Sequence, residues 1–162
     1  MTPVNVLEID ATLADFLGGP VAIVVATRDA DKRPHVVRGY AASLSEGGTR
    51  VSVHVPSVQC RHVLDAIKET GVIAAVFSRV SDYKTYQIKG IDAEIGPTVA
   101  GSAPRLAAYR DGFLDELARI GIPRESTRGL AFEEFIPLSF TSTAVFVQTP
   151  GPNAGRKLET QA

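Results

Sequence analysis

Gln87 is a polar residue inside a run of strand-forming residues, Thr85 to Ile91. Side chains alternate along a strand, so Gln87 faces away from Tyr86 and Ile88. A glutamine amide both donates and accepts hydrogen bonds, and on a rigid strand it is suited to recognising a polar heterocycle. The alternative is a solvated glutamine on an open sheet face, because such residues are mostly exposed.

Arg38 lies inside a second predicted strand, next to Gly39. Its guanidinium group holds five donors in a fixed plane, which suits a phosphate or a carboxylate. We expect Gly39 to let another backbone or a flat ligand come close. The alternative is an arginine on the solvent face of an edge strand.

Arg61 and His62 open a helix predicted over Cys60–Thr70. The free backbone N–H groups and positive dipole end of a helix start form an anion site, and cationic side chains there oppose the dipole. Two such side chains therefore indicate a bound anion. The alternative is a surface pair that is tolerated at small cost.

Several kinds of chemistry are not expected. A single cysteine, Cys60, excludes an internal disulfide, and without a readable histidine–acid partner it is interpreted as an inert core thiol. The three histidines, His35, His54 and His62, lie on separate elements without metal-ligand spacing, so no metal site is predicted. The chain contains no P-loop, no G-x-G-x-x-G after a strand and no G-x-S-x-G motif.

The amino-acid composition restricts the kinds of partner that the protein is expected to bind. The 162 residues are 44% apolar and 22% charged, which is typical of a single globular domain. A net charge of −1 and few aromatic residues argue against binding to nucleic acid or to anionic lipid. The longest apolar run, Val21 to Ala26, is too short to span a membrane, and no secretory signal is visible, so we expect a cytoplasmic protein.

Periodicity predicts the elements. A period of 3.6 indicates helices, and β-branched or alternating runs indicate strands. The run Val21–Thr27 has no polar residue before Thr27, which predicts a strand buried on both faces. The predicted order is a helix at Thr12–Leu17, strands at Val21–Thr27, His35–Ser43 and Arg50–Val55, a helix at Cys60–Thr70, strands at Ile73–Phe77 and Thr85–Ile91, a helix at Ala103–Ile120, an irregular stretch at Arg124–Ile136, and a strand at Leu138–Gln148.

Short strands joined by hairpins favour antiparallel pairing, and six of them close most economically as a small barrel. The predicted class is therefore mainly β, a six-stranded antiparallel barrel with inserted helices. One domain is expected over residues 1–162, with a barrel core at about 20–96 and 138–148, a helical insertion at about 102–136 and a polar tail at 149–162.

Three segments carry a resemblance to a known family. They are PVAIVVATRDADKRPHVVRGYAA, RVSVHVP followed by QCRHVLDAIKETG, and VIAAVFSRVSDYKTYQIKGIDAEI. In element order and local matches they resemble the FMN-binding split barrels of the pyridoxamine 5′-phosphate oxidase-like family. The resemblance covers roughly residues 20–95 and the closing strand LSFTSTAVFVQTPG. It implies a two-fold homodimer with FMN at the interface.

The resemblance also implies site residues. Arg38, with Arg61 and His62, corresponds to the basic residues that hold the FMN phosphate. Val53, His54 and Val55 fall where backbone groups approach the flavin ring, and Gln87 falls at the ring-contacting position. The arginine–leucine motif that contacts pyridoxal phosphate is absent, so oxidation of vitamin B6 is not the expected activity.

The sequence therefore predicts an FMN-dependent oxidoreductase acting on an unidentified small molecule. A protein that binds flavin, deazaflavin or haem for storage or sensing is the alternative. A structural dimer that has lost its cofactor is a third possibility.

Overall fold

A computed structural model describes residues 4–159, and most element boundaries follow the signals in the sequence. Asp10 caps the first helix by accepting a hydrogen bond from the backbone N–H of Leu13 at 2.8 Å. Gly71 ends the second helix with a left-handed φ of 64°. The elements are α1 (Ala11–Leu17), β1 (Ala22–Arg28), β2 (Pro34–Ser45), β3 (Arg50–Pro56), α2 (Arg61–Thr70), β4 (Ile73–Ser78), β5 (Thr85–Ile95), β6 (Val99–Ala100), α3 (Pro104–Arg119) and β7 (Glu134–Val147).

Six antiparallel strands close into a barrel. Their order is β3-β2-β1-β4-β5-β7, and pairing of β3 with β7 completes the ring. The short strand β6, which the sequence pattern does not predict, pairs with the start of β7. The predicted six-stranded barrel with inserted helices is confirmed. The last strand begins at Glu134, within the stretch predicted to be irregular.

The barrel interior is filled by one face of each strand. Val25 of β1, Ala75 of β4 and Ile88 of β5 are all fully buried. The other face of β1 points outwards, and Val24 is 42% exposed. The prediction that β1 is buried on both faces is therefore wrong. A closed barrel has only one interior, so the second face is covered only where a helix or a partner packs on it.

Gly39 faces the barrel interior and makes room for neighbouring side chains there. A Cβ at this position would lie 2.6 Å from Cγ2 of Ile23 and 3.0 Å from Cγ2 of Val53. The expectation that Gly39 gives access to a flat ligand is wrong, because its missing side chain makes room for barrel packing instead.

The helices cover three parts of the barrel. α1 closes one end, where Leu17 is fully buried and Phe16 lies edge-on to Tyr86 with ring centroids 5.1 Å apart. α2 connects β3 to β4 at the opposite end and packs mainly against β1 and β2. α3 packs on the outer face of β2. Among residues 4–159, no helix combines the length and the apolar character needed to cross a membrane.

The predicted polar tail folds back on the last strand. Gly155 donates to the carbonyl of Val147 at 2.7 Å, and Leu158 donates to that of Val145 at 2.8 Å. Lys157 thereby pairs with Phe146 across an antiparallel bridge. The final three residues of the predicted tail, 160–162, lie outside the described part of the chain.

Candidate functional site

Arg38 lies on the outer face of β2, beneath α3. Its guanidinium carbon is 4.8 Å from the ring centroid of Phe113 and 5.3 Å from that of Tyr40. The positive charge is therefore stabilised by two aromatic faces. The sequence pattern places Phe113 in the apolar stripe of α3 but gives no sign that this stripe covers Arg38.

Two donors of Arg38 have no acceptor. Its Nε and Nη2 atoms are inaccessible to solvent. The phenol groups of Tyr40 and Tyr109 lie near the guanidinium group, but neither Nε nor Nη2 meets hydrogen-bond geometry with an acceptor in the described part of the chain. A buried donor without a partner costs about 1–3 kcal/mol. An anionic oxygen beside this guanidinium group would remove that cost. The donor set of Arg38 therefore fits the phosphate of a flavin nucleotide.

His54 lies opposite Tyr40 on the outer face of the barrel, two strand positions from Arg38. Its Nδ1 is 2.9 Å from the carbonyl oxygen of Ala41. Burial lowers the pKa of His54, and the nearby charge of Arg105 acts in the same direction. We therefore assign a neutral ring that donates from Nδ1 and keeps Nε2 as an acceptor.

The carbonyl group of Ala41, which accepts the hydrogen bond from His54, lies in a bulge of β2. The pairing of β2 with β3 shifts register between Tyr40 and Ser43, and Ala41 within it has a φ of 41°. Bulges of this kind re-aim backbone groups, and they are frequent beside functional sites. A register shift depends on the partner strand, so the sequence of β2 alone does not reveal it.

Tyr109 attaches α3 to the barrel. Its hydroxyl group donates to the carbonyl of Val21 at 2.6 Å. Burial raises the pKa of Tyr109, although the charge of Arg38 opposes the shift. Burial likewise raises the pKa of Tyr40. Both phenols are therefore neutral hydrogen-bonding groups at physiological pH.

Val53 and Val55 point into the barrel, where both side chains are fully buried. Their strand is paired on one side with β2 and on the other with β7. Any contact with a ligand would therefore be made by backbone groups next to the β2 bulge. Their role in cofactor binding stays a prediction.

Arg61 and His62 lie exposed at the start of α2. The His62 ring stacks on that of His35 with centroids 6.1 Å apart, and His35 contacts the carboxylate of Asp29 at 3.2 Å. His35 precedes Arg38 by three strand positions, about 10 Å along β2. The structure thus brings His62 to β2, but to the part of the strand that lies nearest α2.

Gln87 is half-buried on the outer face of β5. Its Oε1 accepts a hydrogen bond from Nε2 of Gln148 at 3.3 Å. The neighbouring ring of Phe146, its partner on β7, is covered by the ammonium group of Lys89 at 4.9 Å. The amide therefore belongs to a partly covered polar and aromatic group rather than to an open, fully solvated surface.

The ring of strands separates Arg38 from Gln87. β2 and β5 are three positions apart in either direction around the six-stranded barrel. Side chains that point outwards from opposite strands of a barrel point away from each other. One protomer therefore does not bring these two predicted site residues together.

Two cavities differ in their suitability for an anion. The larger, about 410 Å³, lies between the N-terminal segment and the tail, and its rim carries Glu8, Asp10 and Glu159. Three carboxylates would repel a phosphate. The smaller, about 220 Å³, lies between α3 and the turn that follows α1. Arg105 lines it, so we regard this cavity as the one relevant to an anionic ligand.

Cys60 and the acidic residues provide no further site. Cys60 is fully buried, and its thiol points to the carbonyl of Ser57 at 3.6 Å. Burial raises the pKa of this thiol, in agreement with the predicted inert core residue. Within residues 4–159, no group of three or more His, Cys, Asp or Glu side chains is arranged to hold a metal ion.

Comparisons with known proteins rest on structure. No protein-family model matches the chain, and no curated protein matches its sequence. HupZ of Group A Streptococcus is 19% identical, with a TM-score of 0.53 over 91% of this chain and 100% of HupZ. An F420 reductase is 14% identical, with a TM-score of 0.53 over 85% of this chain and 98% of the reductase.

A candidate pyridoxamine 5′-phosphate oxidase from Lactobacillus delbrueckii is also 14% identical, with a TM-score of 0.53 over 91% of this chain and 100% of that protein. Likeness at such low identity establishes a shared fold. Together with the closed six-stranded barrel, it shows that this chain has the split-barrel fold of the pyridoxamine 5′-phosphate oxidase-like proteins.

Proposed function

We propose that this protein binds FMN on the outer face of its barrel and is a flavin-dependent oxidoreductase acting on a small molecule. The observation that carries the proposal is the guanidinium group of Arg38, in which the Nε and Nη2 atoms are buried without an acceptor. Proteins with this fold include an F420 reductase and a candidate pyridoxamine 5′-phosphate oxidase, which supports a redox role.

In this proposal the chain positions the cofactor. Arg38 binds the phosphate by charge-assisted hydrogen bonds, and Arg61 with His62 provides further positive charge at the start of α2. Gln87 hydrogen-bonds the edge of the flavin ring. Bound FMN would supply the electron-transfer chemistry, while the protein sets its orientation and excludes water.

We further propose that the functional unit is a homodimer. Arg38 and Gln87 lie on opposite sides of one barrel, so a shared ligand must take one of them from each protomer. The outer face of β1 and β2 is apolar near Arg38, where Val24 is 42% and Val36 is 62% exposed. A two-fold interface over this face would bury both valines and complete two equivalent sites.

FMN titration of Arg38→Met tests the proposal. Removing a charge-assisted phosphate contact costs about 1.5–3 kcal/mol, so the Kd for FMN should rise by about 10–150-fold. Arg61→Ala should weaken binding in the same direction. Arg33→Met is the matched control, because Arg33 lies in an exposed turn with a side chain that is 75% accessible. Wild-type protein that neither purifies with flavin nor binds added FMN would overturn the proposal.

Use of a deazaflavin is the second candidate, and the likeness to an F420 reductase favours it. Competition between F420 and FMN for the same protein separates the two cofactors. Turnover with NAD(P)H and an electron acceptor then distinguishes an enzyme from a protein that only stores or senses its cofactor. Tight binding without turnover would support the storage role.

A further inference from the structure

α3 seals the two donors on which the proposed phosphate site depends. The Nε and Nη2 atoms of Arg38 are inaccessible to solvent, and the Phe113 ring of α3 lies over the guanidinium group. An anion from solution cannot reach these atoms while α3 stays in place. Arg38 as a whole is only partly buried, so the residue is not fully sealed, but binding through Nε and Nη2 requires α3 to move.

A second atom without a hydrogen-bond partner belongs to α3 itself. The side chain of Glu116 is 8% exposed, and its Oε1 accepts from Arg119 at 2.5 Å. Its Oε2 is buried and has no hydrogen-bond partner among residues 4–159. Buried polar groups in folded proteins are nearly always satisfied, so two exceptions in one interface indicate imperfect docking.

Packing beneath α3 is also incomplete. The cavity of about 220 Å³ separates the helix from the turn at Gly18, Gly19 and Pro20. This cavity is open to solvent on one side, so this edge of the helix is not sealed against the barrel. The polar contacts across the gap are few: Tyr109 donates to Val21 at 2.6 Å, and Arg105 reaches the carbonyl of Ala42 at a long 3.4 Å.

The C-terminal end of α3 has room to move. Gly121 follows the helix with a φ of 89°, and no atom lies within 4 Å of the Cβ position there. Ile120 and Ile122 beside it are 45% and 38% exposed. The polar contact at this end comes from the segment that follows the helix, where Arg124 donates to Asp115 at 2.5 Å, whereas the middle of α3 packs on Pro20 through Gly112.

We propose that α3 is a lid over Arg38, closed by Phe113 in the free protein and displaced when the anionic part of a ligand enters. This inference rests on the proposed function for the identity of the ligand. The unsatisfied donors of Arg38 and the unsatisfied Oε2 of Glu116 weaken the closed state, and a phosphate on Arg38 stabilises the open state. Lids of this kind open on the microsecond to millisecond timescale.

A disulfide that fastens α3 tests the proposal. A Cβ on Gly112 would lie 3.2 Å from Cβ of Pro20, close to the separation of about 3.5–4.5 Å in natural disulfides. The double variant Pro20→Cys/Gly112→Cys can therefore lock the lid, and the fully buried Cys60 is protected from mispairing. Association of FMN should be at least about tenfold slower in the oxidised than in the reduced form. This ratio corresponds to a free-energy barrier to binding that is about 1.4 kcal/mol higher. Each single variant, treated identically, should bind at one rate under both conditions.

The possible outcomes test the lid proposal and the proposed FMN binding independently. Equal FMN association rates for oxidised and reduced double variant, with normal binding by wild type, would overturn the lid and leave the proposed function standing. If wild type binds no FMN, hydrogen exchange of the free protein decides the lid independently. The α3 amides should then exchange at least about tenfold faster than those of the barrel strands, because lids open below the cost of global unfolding. If the α3 amides exchange only through global unfolding, the lid proposal is overturned.

Discussion

At the scale of single residues, burial shapes two of the candidate site residues, His54 and Arg38. His54 is kept neutral by desolvation, and its hydrogen bond to Ala41 fixes which nitrogen carries the proton. Arg38 loses solvent from two of its donor atoms, Nε and Nη2. A neutral acceptor on β3 and two unsatisfied donor atoms on β2 thus lie on the outer face of the barrel.

The environment of His54 predicts a pH dependence of stability. In the unfolded chain His54 takes up a proton near its ordinary pKa of 6.5, whereas the folded protein resists protonation until a lower pH. The unfolded state therefore binds more protons below 6.5, and this contribution to stability, present above that pH, is lost as the pH falls. The free energy of unfolding should decline by up to about 1.4 kcal/mol per pH unit.

Urea denaturation between pH 5 and 8 measures this decline. His54→Gln, which can still donate to the Ala41 carbonyl, should flatten it. His35→Gln is the control, because His35 is only partly buried and contacts Asp29. An unchanged slope in His54→Gln would show that other groups cause the pH dependence.

Substitution of Gln87 should affect the reduction potential of bound FMN, whereas substitution of Arg38 should affect mainly its Kd. Its amide is proposed to contact the flavin ring, so Gln87→Leu should shift the reduction potential of bound FMN while changing its Kd less than Arg38→Met does. Gln148→Leu, which removes the observed partner of Gln87, is a useful comparison. Redox titration of the FMN-loaded protein measures the shift. A potential identical to that of wild type would leave Gln87 with a role in the sheet alone.

At the scale of elements, one closed sheet positions all the predicted site residues except Arg61 and His62, which begin α2. β2 carries Arg38 outwards and Gly39 inwards in adjacent positions, so the same strand serves the site and the core. α1 and α2 close the two ends of the barrel, and α3 covers the outer face of β2. The site is therefore coupled to core packing through a single strand.

Gly39→Ala should destabilise the protein because its Cβ would overlap with Ile23 and Val53. Overpacking a barrel interior costs about 1–3 kcal/mol, which exceeds the 0.4–1 kcal/mol gained by restricting the unfolded chain. Thermal or urea unfolding measures the loss. Gly129→Ala is the matched control, since no atom lies within 4 Å of a Cβ there. Equal stability of the two variants would contradict the assigned packing role of Gly39.

At the scale of the whole molecule, barrel closure would divide the site between the two protomers of the proposed dimer. β2 and β5 lie on opposite sides of the ring, so Arg38 of one barrel can share a ligand only with Gln87 of another. Each two-fold dimer would then contain two such combined sites. Dissociation of the dimer should release the cofactor.

Subunit mixing provides a sharp measurement of this arrangement. When Arg38→Met and Gln87→Leu dimers exchange subunits at random, half of the dimers are mixed, and each mixed dimer regains one intact site. About a quarter of all sites should therefore recover wild-type FMN binding and potential. Mixing without any recovery would place both residues of a site in the same protomer.

Much of the fold was accessible from the sequence, because strand and helix periods are local properties. The alternation in Thr85–Ile91 predicted that Gln87 faces away from Tyr86 and Ile88, and the pattern of α3 predicted its buried stripe. The caps at Asp10 and Gly71 are local signals of the same kind, because each depends on residues within one turn of a helix end. Antiparallel hairpins then made a six-stranded barrel the economical arrangement.

Tertiary structure decided how these elements meet. The run in β1 looked buried on both faces, since periodicity does not reveal whether a second layer covers a strand. Only ring closure between β3 and β7 places Arg38 and Gln87 on opposite sides, and only helix docking puts Phe113 over Arg38. These contacts join residues far apart in the chain. The sequence by itself determined the elements and the chemical types of the site residues, while closure of the barrel and docking of α3 decided which of them meet and which are sealed from solvent.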